Sequence, residues 1–249
     1  MLFFSQQGED LYLLKHFINK KVPDGRFVEV GALDGITYSN TGFIESEFGF
    51  SGVLIEPSKH FEQLSYTRPG CLHINKAISD ENKMVTFREH YAMSGILDKL
   101  PEGHKQNFQH GGVQTYDIEA VTLRSVLSDT KLEYVDFMSI DVEGGELEVL
   151  KSMNWDIPTY VICIELDGHN KQKDQSCREI LLANGFTLHG RLTDNEFWAN
   201  PNYFRKTELF DETKPYVDWS SFSHVGQIGN FVRLEPGVVA QVNACILGN

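Results

Sequence analysis

The feature that most narrows the fold is a rhythm of short apolar runs separated by stretches with helical spacing. Phe27-Val28-Glu29-Val30, Val53-Leu54-Ile55, Val135–Ile140 and residues 160–164 are brief runs rich in β-branched and large apolar side chains. Runs apolar on both faces belong to strands buried on both sides, as happens when helices cover both faces of a parallel sheet. Helices are expected over residues 9–19, stopped by Pro23-Asp24-Gly25, and from a cap at Ser39 or Asn40 through Phe48. Others are expected at 60–66, 123–127, 146–153 and 173–184, the last closed by Gly185. Further strands fall at 71–78, 84–88, 114–120, 186–189 and 196–199. Alternation of this kind predicts an α/β fold.

Composition narrows the partners. The 249 residues suffice for one large domain with a substantial core, and 41% hydrophobic residues plus 21 glycines are ordinary for a globular chain. With 35 acidic against 22 basic residues the net charge is −13, which repels a phosphate backbone and weighs against a nucleic-acid partner. The most apolar stretch, 160–164, is far shorter than the ~20 residues of a membrane span. The start, Met1-Leu2-Phe3-Phe4-Ser5, lacks the basic and long apolar regions of a signal peptide. Cys71, Cys163, Cys177 and Cys245 show no zinc or CxxC spacing and are expected as reduced thiols of a cytoplasmic protein. Residues 90–112, rich in Gly, His, Gln and Asn, are predicted as a long loop, a length mostly reserved for function. After Arg205 the periodicity is lost. The expected division is a domain over 1–205 and an extension over 206–249 that packs on it, containing Trp219, Phe222, Phe231 and an apolar stretch from Val238 to Leu247.

In an open α/β sheet, ligands bind beyond the carboxyl ends of the strands. The first strand runs into Glu29-Val30-Gly31-Ala32-Leu33-Asp34-Gly35, whose glycines let the backbone turn sharply beside a ligand. Glu56 closes the second strand, 21 positions after Gly35, where a carboxylate can accept hydrogen bonds from ribose hydroxyls. A nucleoside is expected, and charge selects which one. The turn lacks the GxGxxG cradle and carries Glu29 and Asp34, which would repel a pyrophosphate but attract a sulfonium and an ammonium. S-adenosylmethionine fits; NAD does not. The competing reading is that Glu29 and Asp34 only cap local turns.

The chain resembles the FkbM-type family of S-adenosylmethionine-dependent methyltransferases over roughly residues 5–200. The resemblance rests on Ser5-Gln6-Gln7-Gly8-Glu9-Asp10, residues 27–35, Ser39-Asn40-Thr41, Gly52-Val53-Leu54-Ile55-Glu56-Pro57 and Ala77-Ile78. Most specific is the run from Val135 through Asp141-Val142-Glu143-Gly144-Gly145-Glu146, followed by Leu150-Lys151 and Ile164-Glu165. It implies an O-methyltransferase with a class I, Rossmann-like, seven-stranded and mostly parallel sheet, helices on both faces and the last strand antiparallel. Carried over, Glu29, Gly31, Ala32, Asp34 and Gly35 would line the methionine end of the cofactor, with Asn40 nearby. Glu56, followed by Pro57, would take the ribose, and Ala77 and Ile78 would border the adenine. The stretch 90–114 has no firm counterpart in the family pattern.

Asp141-Val142-Glu143 and Glu165-Leu166-Asp167-Gly168-His169 end two strands on the ligand-binding edge. Transfer of a methyl group to a hydroxyl needs a general base, worth ~10²–10⁴-fold, or a divalent cation that stabilises the developing alkoxide. Asp141 is the first candidate, faced by Glu165, with His169 as base or ligand; these three would suit Mg²⁺ or Mn²⁺. Asp141 and Glu143 also belong to the expected cofactor set, although Glu143 alternatively caps the helix near Gly145, and Glu165 alternatively only satisfies backbone N–H groups. His90, His104 and His110 flank the long loop, and Asn195-Glu196-Phe197-Trp198 either walls an acceptor pocket or packs as core. The polar residues His104, Gln106, Asn107, Gln109 and Tyr116 suit a sugar or glycan hydroxyl as acceptor. A lipid or polyketide-like acceptor, or a non-catalytic S-adenosylmethionine-binding module, are the alternatives.

Overall fold

The computed structural model of the chain describes residues 2–106, 112–213 and 232–233. The first half comprises β1 (Leu2–Phe3), α1 (Glu9–His16), β2 (Arg26–Val30), α2 (Gly42–Phe48), β3 (Ser51–Ile55), α3 (Phe61–Thr67), β4 (Leu72–Ile74) and β5 (Ala77–Ile78). Next come β6 (Lys83–Glu89), β7 (Gly95–Ile96), α4 (Glu102–Lys105), β8 (Gln114–Val121), α5 (Leu123–Thr130), β9 (Val135–Ile140) and α6 (Glu146–Lys151). The chain closes with β10 (Thr159–Glu165), α7 (Lys171–Ala183), β11 (Thr187–Leu192), β12 (Asn195–Ala199), α8 (Lys206–Leu209) and β13 (Val232–Arg233).

Seven strands form the main sheet in the order β11-β12-β10-β9-β2-β3-β4. Neighbours from β10 to β4 pair in parallel, and β12 runs antiparallel to both β10 and β11. Alternation along the strands builds two cores. Phe27, Leu54, Phe137 and Val161 meet Leu13, Ile44 and Leu64 of α1, α2 and α3 on one face. Val28, Val53, Met138 and Ile162 meet Leu127, Val149 and Leu181 of α5, α6 and α7 on the other. Both faces are covered, which is why the central strands are apolar at nearly every position. Each such side chain contributes ~1.5–3 kcal/mol by leaving water.

The structure splits the single strand expected over 71–78. The Asn75 side-chain amide donates to the Glu56 carbonyl at 2.9 Å, and the chain then leaves the main sheet. Ala77–Ile78 instead joins a second, four-stranded sheet of order β5-β8-β6-β7, which the sequence reading did not separate. The loop expected over 90–112 contains β7 and α4, while Asn107, Gln109 and His110 lie outside the described residues. At the start of α2, Ser39 bonds from three residues before the first helical residue: its hydroxyl accepts the N–H of Gly42 at 3.1 Å.

Cys71, Cys163 and Cys177 are free thiols, and Cys245 lies outside the described residues. No helix among the described residues is long and apolar enough to cross a membrane. Past Arg205 the core continues, since Leu209 of α8 is fully buried in the first cluster. Val232–Arg233 pairs antiparallel with Leu2–Phe3. The rest of the expected extension beyond residue 213, with Trp219, Phe222, Phe231 and the Val238–Leu247 stretch, lies outside the described residues.

Candidate active site

Sheet register aligns the functional candidates. Val30 pairs with Ile55 and with Ile140, and Ile140 with Ile164. The next residue on each strand is therefore in one row along the carboxyl edge: Glu56, Gly31, Asp141 and Glu165. The row needs Gly31. Its φ is +92°, and a Cβ there would stand 1.8 Å from the Asp141 carbonyl oxygen, so no other residue lets β2 and β9 end this close together.

Above this row opens a cleft of about 780 Å³, counted out to its mouth. One wall holds Glu56, Gly31 and Asp141 of the strand row; the opposite wall comes from the second sheet and the 91–96 segment, through Ala77, Ile78, Phe87, Tyr91 and Ile96. Among the described residues seven non-glycines have positive φ, and four of them, Leu33, Tyr38, Tyr91 and Glu143, line this cleft. Left-handed backbone costs ~1–2 kcal/mol per residue, and such strain concentrates at functional sites because the surroundings must hold it.

Of the twelve residues expected to hold a cofactor, Gly31, Glu56, Pro57, Ala77, Ile78, Asp141 and Glu143 line the cleft. Glu29, Ala32, Asp34, Gly35 and Asn40 do not, and they support it from behind. Glu29 is buried, and its carboxylate accepts from the Asn40 N–H at 2.8 Å, the Thr41 hydroxyl at 2.7 Å and the Ser39 hydroxyl at 2.9 Å. Burial pushes its pKa up, opposed by the Arg68 guanidinium 3.8 Å away. Asp34 accepts from the N–H groups of Ile36 and Thr37 at 2.9 and 2.6 Å, closing the turn. Both carboxylates are thus engaged by hydrogen-bond donors of the chain segments that follow β2. Gly35 packs under α3, where a Cβ would meet Arg68, Leu64 and Thr67 within 2.9 Å. The Asn40 side chain donates to the Ser139 hydroxyl at 3.0 Å below the sheet edge. Glu56 is buried, with one oxygen accepting the Leu33 N–H at 2.7 Å and the other the Ser58 N–H at 2.8 Å. Burial raises its pKa, and the charge of Glu89 adds to the shift.

Carboxylate oxygens of Asp141, Glu143 and Glu165 lie within 4.8 Å of one another. Glu165 is pushed far above the usual carboxyl range, first by the facing Asp141 and then by burial. Asp141 is also raised, by burial and then by the charges of Glu143, Glu146 and Glu9. Two such groups cannot both ionise without a positive charge between them, and a shared proton resolves the conflict.

The trio expected around Asp141 is corrected in one member. His169 turns outward, its ring Nδ1 2.5 Å from Asp167, with its side chain 62% exposed. The reason is local: the Gly168 N–H donates to buried Asp174 at 2.9 Å, and Gly168 takes φ +81°, swinging the chain into α7. Glu143 takes its place. It is also not the helix cap: α6 begins after Gly145 without a side-chain cap, and Glu146, its first residue, accepts the Gly144 N–H of the preceding turn at 2.9 Å. Glu143 instead faces His104 Nδ1 at 3.0 Å. Asn195-Glu196-Phe197-Trp198 is core rather than pocket wall, with Phe197 and Trp198 fully buried on opposite faces. Glu196 is bound by Arg178 at 2.8 Å, and Asn195 donates to Glu9 at 2.9 Å. The cleft residues missed by sequence, such as Tyr38, Phe87 and Tyr91, carry no motif; positive φ, the one shared signal at Tyr38 and Tyr91, is invisible in a sequence.

A strained cleft at the carboxyl edge of a mostly parallel sheet, acidic at one end, defines an α/β ligand-binding domain. The chain belongs to the methyltransferase FkbM domain family, whose model matches residues 29–192. No curated protein matches the chain.

Proposed function

We propose that the chain is an S-adenosylmethionine-dependent O-methyltransferase of the class I, Rossmann-like type, acting on a hydroxyl of a sugar or glycan. The observation that carries this reading is the cleft's acidic lining: Glu56, Asp141 and Glu143 surround a backbone bared at Gly31. Such a lining repels a pyrophosphate and favours a cationic ligand. When bound, S-adenosylmethionine supplies a methyl group on a positively charged sulfur. Gly31 admits its close approach, Glu56 accepts from the ribose hydroxyls, and Ala77 and Ile78 cover the adenine. Asp141, carrying the charge that Glu165 does not, faces the cationic end. Holding an acceptor hydroxyl in line there can remove up to ~7–11 kcal/mol of barrier through positioning.

A neutral acceptor suits a chain of net charge −13, because like charges disfavour encounter. The test is calorimetric titration with S-adenosylmethionine, its demethylated product and NAD, followed by mass spectrometry of a panel of neutral and phosphorylated saccharides. Saturable binding of the first two and a gain of one methyl group on a neutral saccharide are expected. Binding of NAD alone, or transfer confined to phosphorylated acceptors, refutes the reading.

A further inference from the structure

We propose that Glu89, buttressed by Tyr116, is a positioning residue that aims Glu56 at the cofactor's ribose and so sets the preference for a ligand that carries its ribose hydroxyls. This inference rests on the methyltransferase reading above and goes beyond it by naming a residue outside the cleft that acts through one inside it.

The backbone of Glu56 is fixed by the sheet. Its N–H donates to the Ile74 carbonyl at 3.0 Å, and its carbonyl accepts from the Asn75 side chain at 2.9 Å. What remains to be set is the direction of its carboxylate. Two N–H groups set it, that of Leu33 at 2.7 Å and that of Ser58 at 2.8 Å. Ser58 belongs to the loop that joins β3 to α3, so the aim of Glu56 depends on how that loop is held. Three consecutive N–H groups of the loop are bound by side chains. Ser58 donates to Glu56, Lys59 donates to Glu89 at 3.2 Å, and His60 donates to the Ser58 hydroxyl at 3.2 Å. Of these three acceptors, Glu89 is the one that comes from outside the loop.

Glu89 is itself firmly held. It ends β6 and is only 2% exposed. Phe87 and Glu89, two apart on β6, share a face, and Tyr116 stands opposite Phe87 on β8. The Tyr116 hydroxyl donates to Glu89 Oε2 at 2.5 Å, the oxygen that also accepts the Lys59 N–H, while Lys59 Nζ lies 2.5 Å from Oε1. Burial acts to raise the Glu89 pKa, but Lys59 and Tyr116 outweigh it and hold the carboxyl below its usual range. Glu89 is therefore an anion at neutral pH, and its bonds are of the stronger, charge-assisted kind. Phe87 lines the cleft and Glu89 does not, so the bond from Lys59 ties the second sheet to the loop that begins at Glu56 and Pro57. Tyr116, expected to suit an acceptor hydroxyl, donates to Glu89 instead.

The experiment titrates the full chain calorimetrically with the demethylated cofactor product and with an analogue of it that lacks both ribose hydroxyls. The ratio of the two affinities is the ribose preference, expected to exceed about tenfold in the wild type, the worth of one charge-assisted hydrogen bond. Glu89→Leu fills a similar volume without an acceptor. It should lower the preference about tenfold while the analogue's affinity stays within about twofold, whereas a collapsed cleft would weaken both ligands alike. Glu89→Gln keeps an acceptor for the Lys59 N–H and should hold the preference within about threefold of wild type. Tyr116→Phe removes one hydroxyl at a half-buried position, so it should fold even where Glu89→Leu does not, and should lower the preference about threefold. In a Glu56→Ala background, Glu89→Leu should leave the ratio as it is, because the two residues act as a unit. A preference equal to or above wild type in Glu89→Leu or Tyr116→Phe overturns the proposal. So does a Glu89→Gln that behaves like Glu89→Leu, which would give the effect to the charge of Glu89 rather than to its hold on the loop, or a further fall of the ratio in the Glu56→Ala background. A wild type that binds product and analogue equally overturns this inference and leaves the methyltransferase reading standing. A wild type that binds neither S-adenosylmethionine nor the product overturns both.

Discussion

Replacing Glu165 with glutamine tests whether a proton neutralises the acidic pair at the sheet edge. Burial and the facing Asp141 raise the folded-state pKa of Glu165 far above its unfolded value. For a group raised in this way the stabilisation is fully present below the unfolded pKa, near 4.5, and is lost as pH rises toward the folded one. While the native state holds one proton more than the unfolded state, stability falls by about 1.4 kcal/mol per pH unit. Between pH 6 and 8 that amounts to roughly 3 kcal/mol. The Glu165→Gln side chain has the same shape, stays neutral at every pH and can donate to Asp141, so the variant escapes this loss. In a domain of this size ~1 kcal/mol moves Tm by ~2–4 °C, so the variant should gain about 6–12 °C on the wild type between pH 6 and 8. Urea unfolding followed by tryptophan fluorescence at pH 6, 7 and 8 measures the two slopes. Parallel slopes would refute the shared proton. A wild type that loses the same stability at pH 7 on exhaustive EDTA treatment, and regains it with Mg²⁺ or Mn²⁺, would refute it too and give the neutralising charge to a cation.

Three other perturbations follow from the same geometry. Gly31→Ala should destabilise the chain by at least ~3 kcal/mol in urea unfolding and abolish cofactor binding, since its Cβ would overlap the Asp141 carbonyl at 1.8 Å in a left-handed backbone. Arg68→Met should cost ~3–5 kcal/mol in thermal or urea unfolding, because it strands buried Glu29 without its counter-charge. Glu56→Ala should weaken S-adenosylmethionine binding roughly tenfold to a hundredfold by calorimetry, the worth of one charge-assisted hydrogen bond at ~1.5–3 kcal/mol. An affinity within twofold of wild type would remove Glu56 from the cofactor site.

The sequence by itself determined the order of the main-sheet strands and the helices packed on them, because burial on both faces leaves an apolar signature in every central strand, as in Val135–Ile140. It also located the carboxyl-edge residues, since Gly31, Glu56, Asp141 and Glu165 each follow directly on an apolar run. The tertiary structure decided which carboxylates face the cleft and which serve the fold. Glu29 and Asp34 look equivalent to Asp141 in the chain, yet Glu29 is enclosed by Ser39, Asn40, Thr41 and Arg68, and Asp34 by its own turn. It likewise exchanged His169 for Glu143 and brought in His104, because whether a loop side chain reaches a strand end depends on the backbone turns at Glu143, Gly144 and Gly168. The second sheet was hidden for a related reason: residues 71–78 are locally uniform, and only the bond from Asn75 to the end of β3 divides them between two sheets. Local propensity reports what an element is; the partner of a polar group is set by what the rest of the chain places within about 3 Å of it.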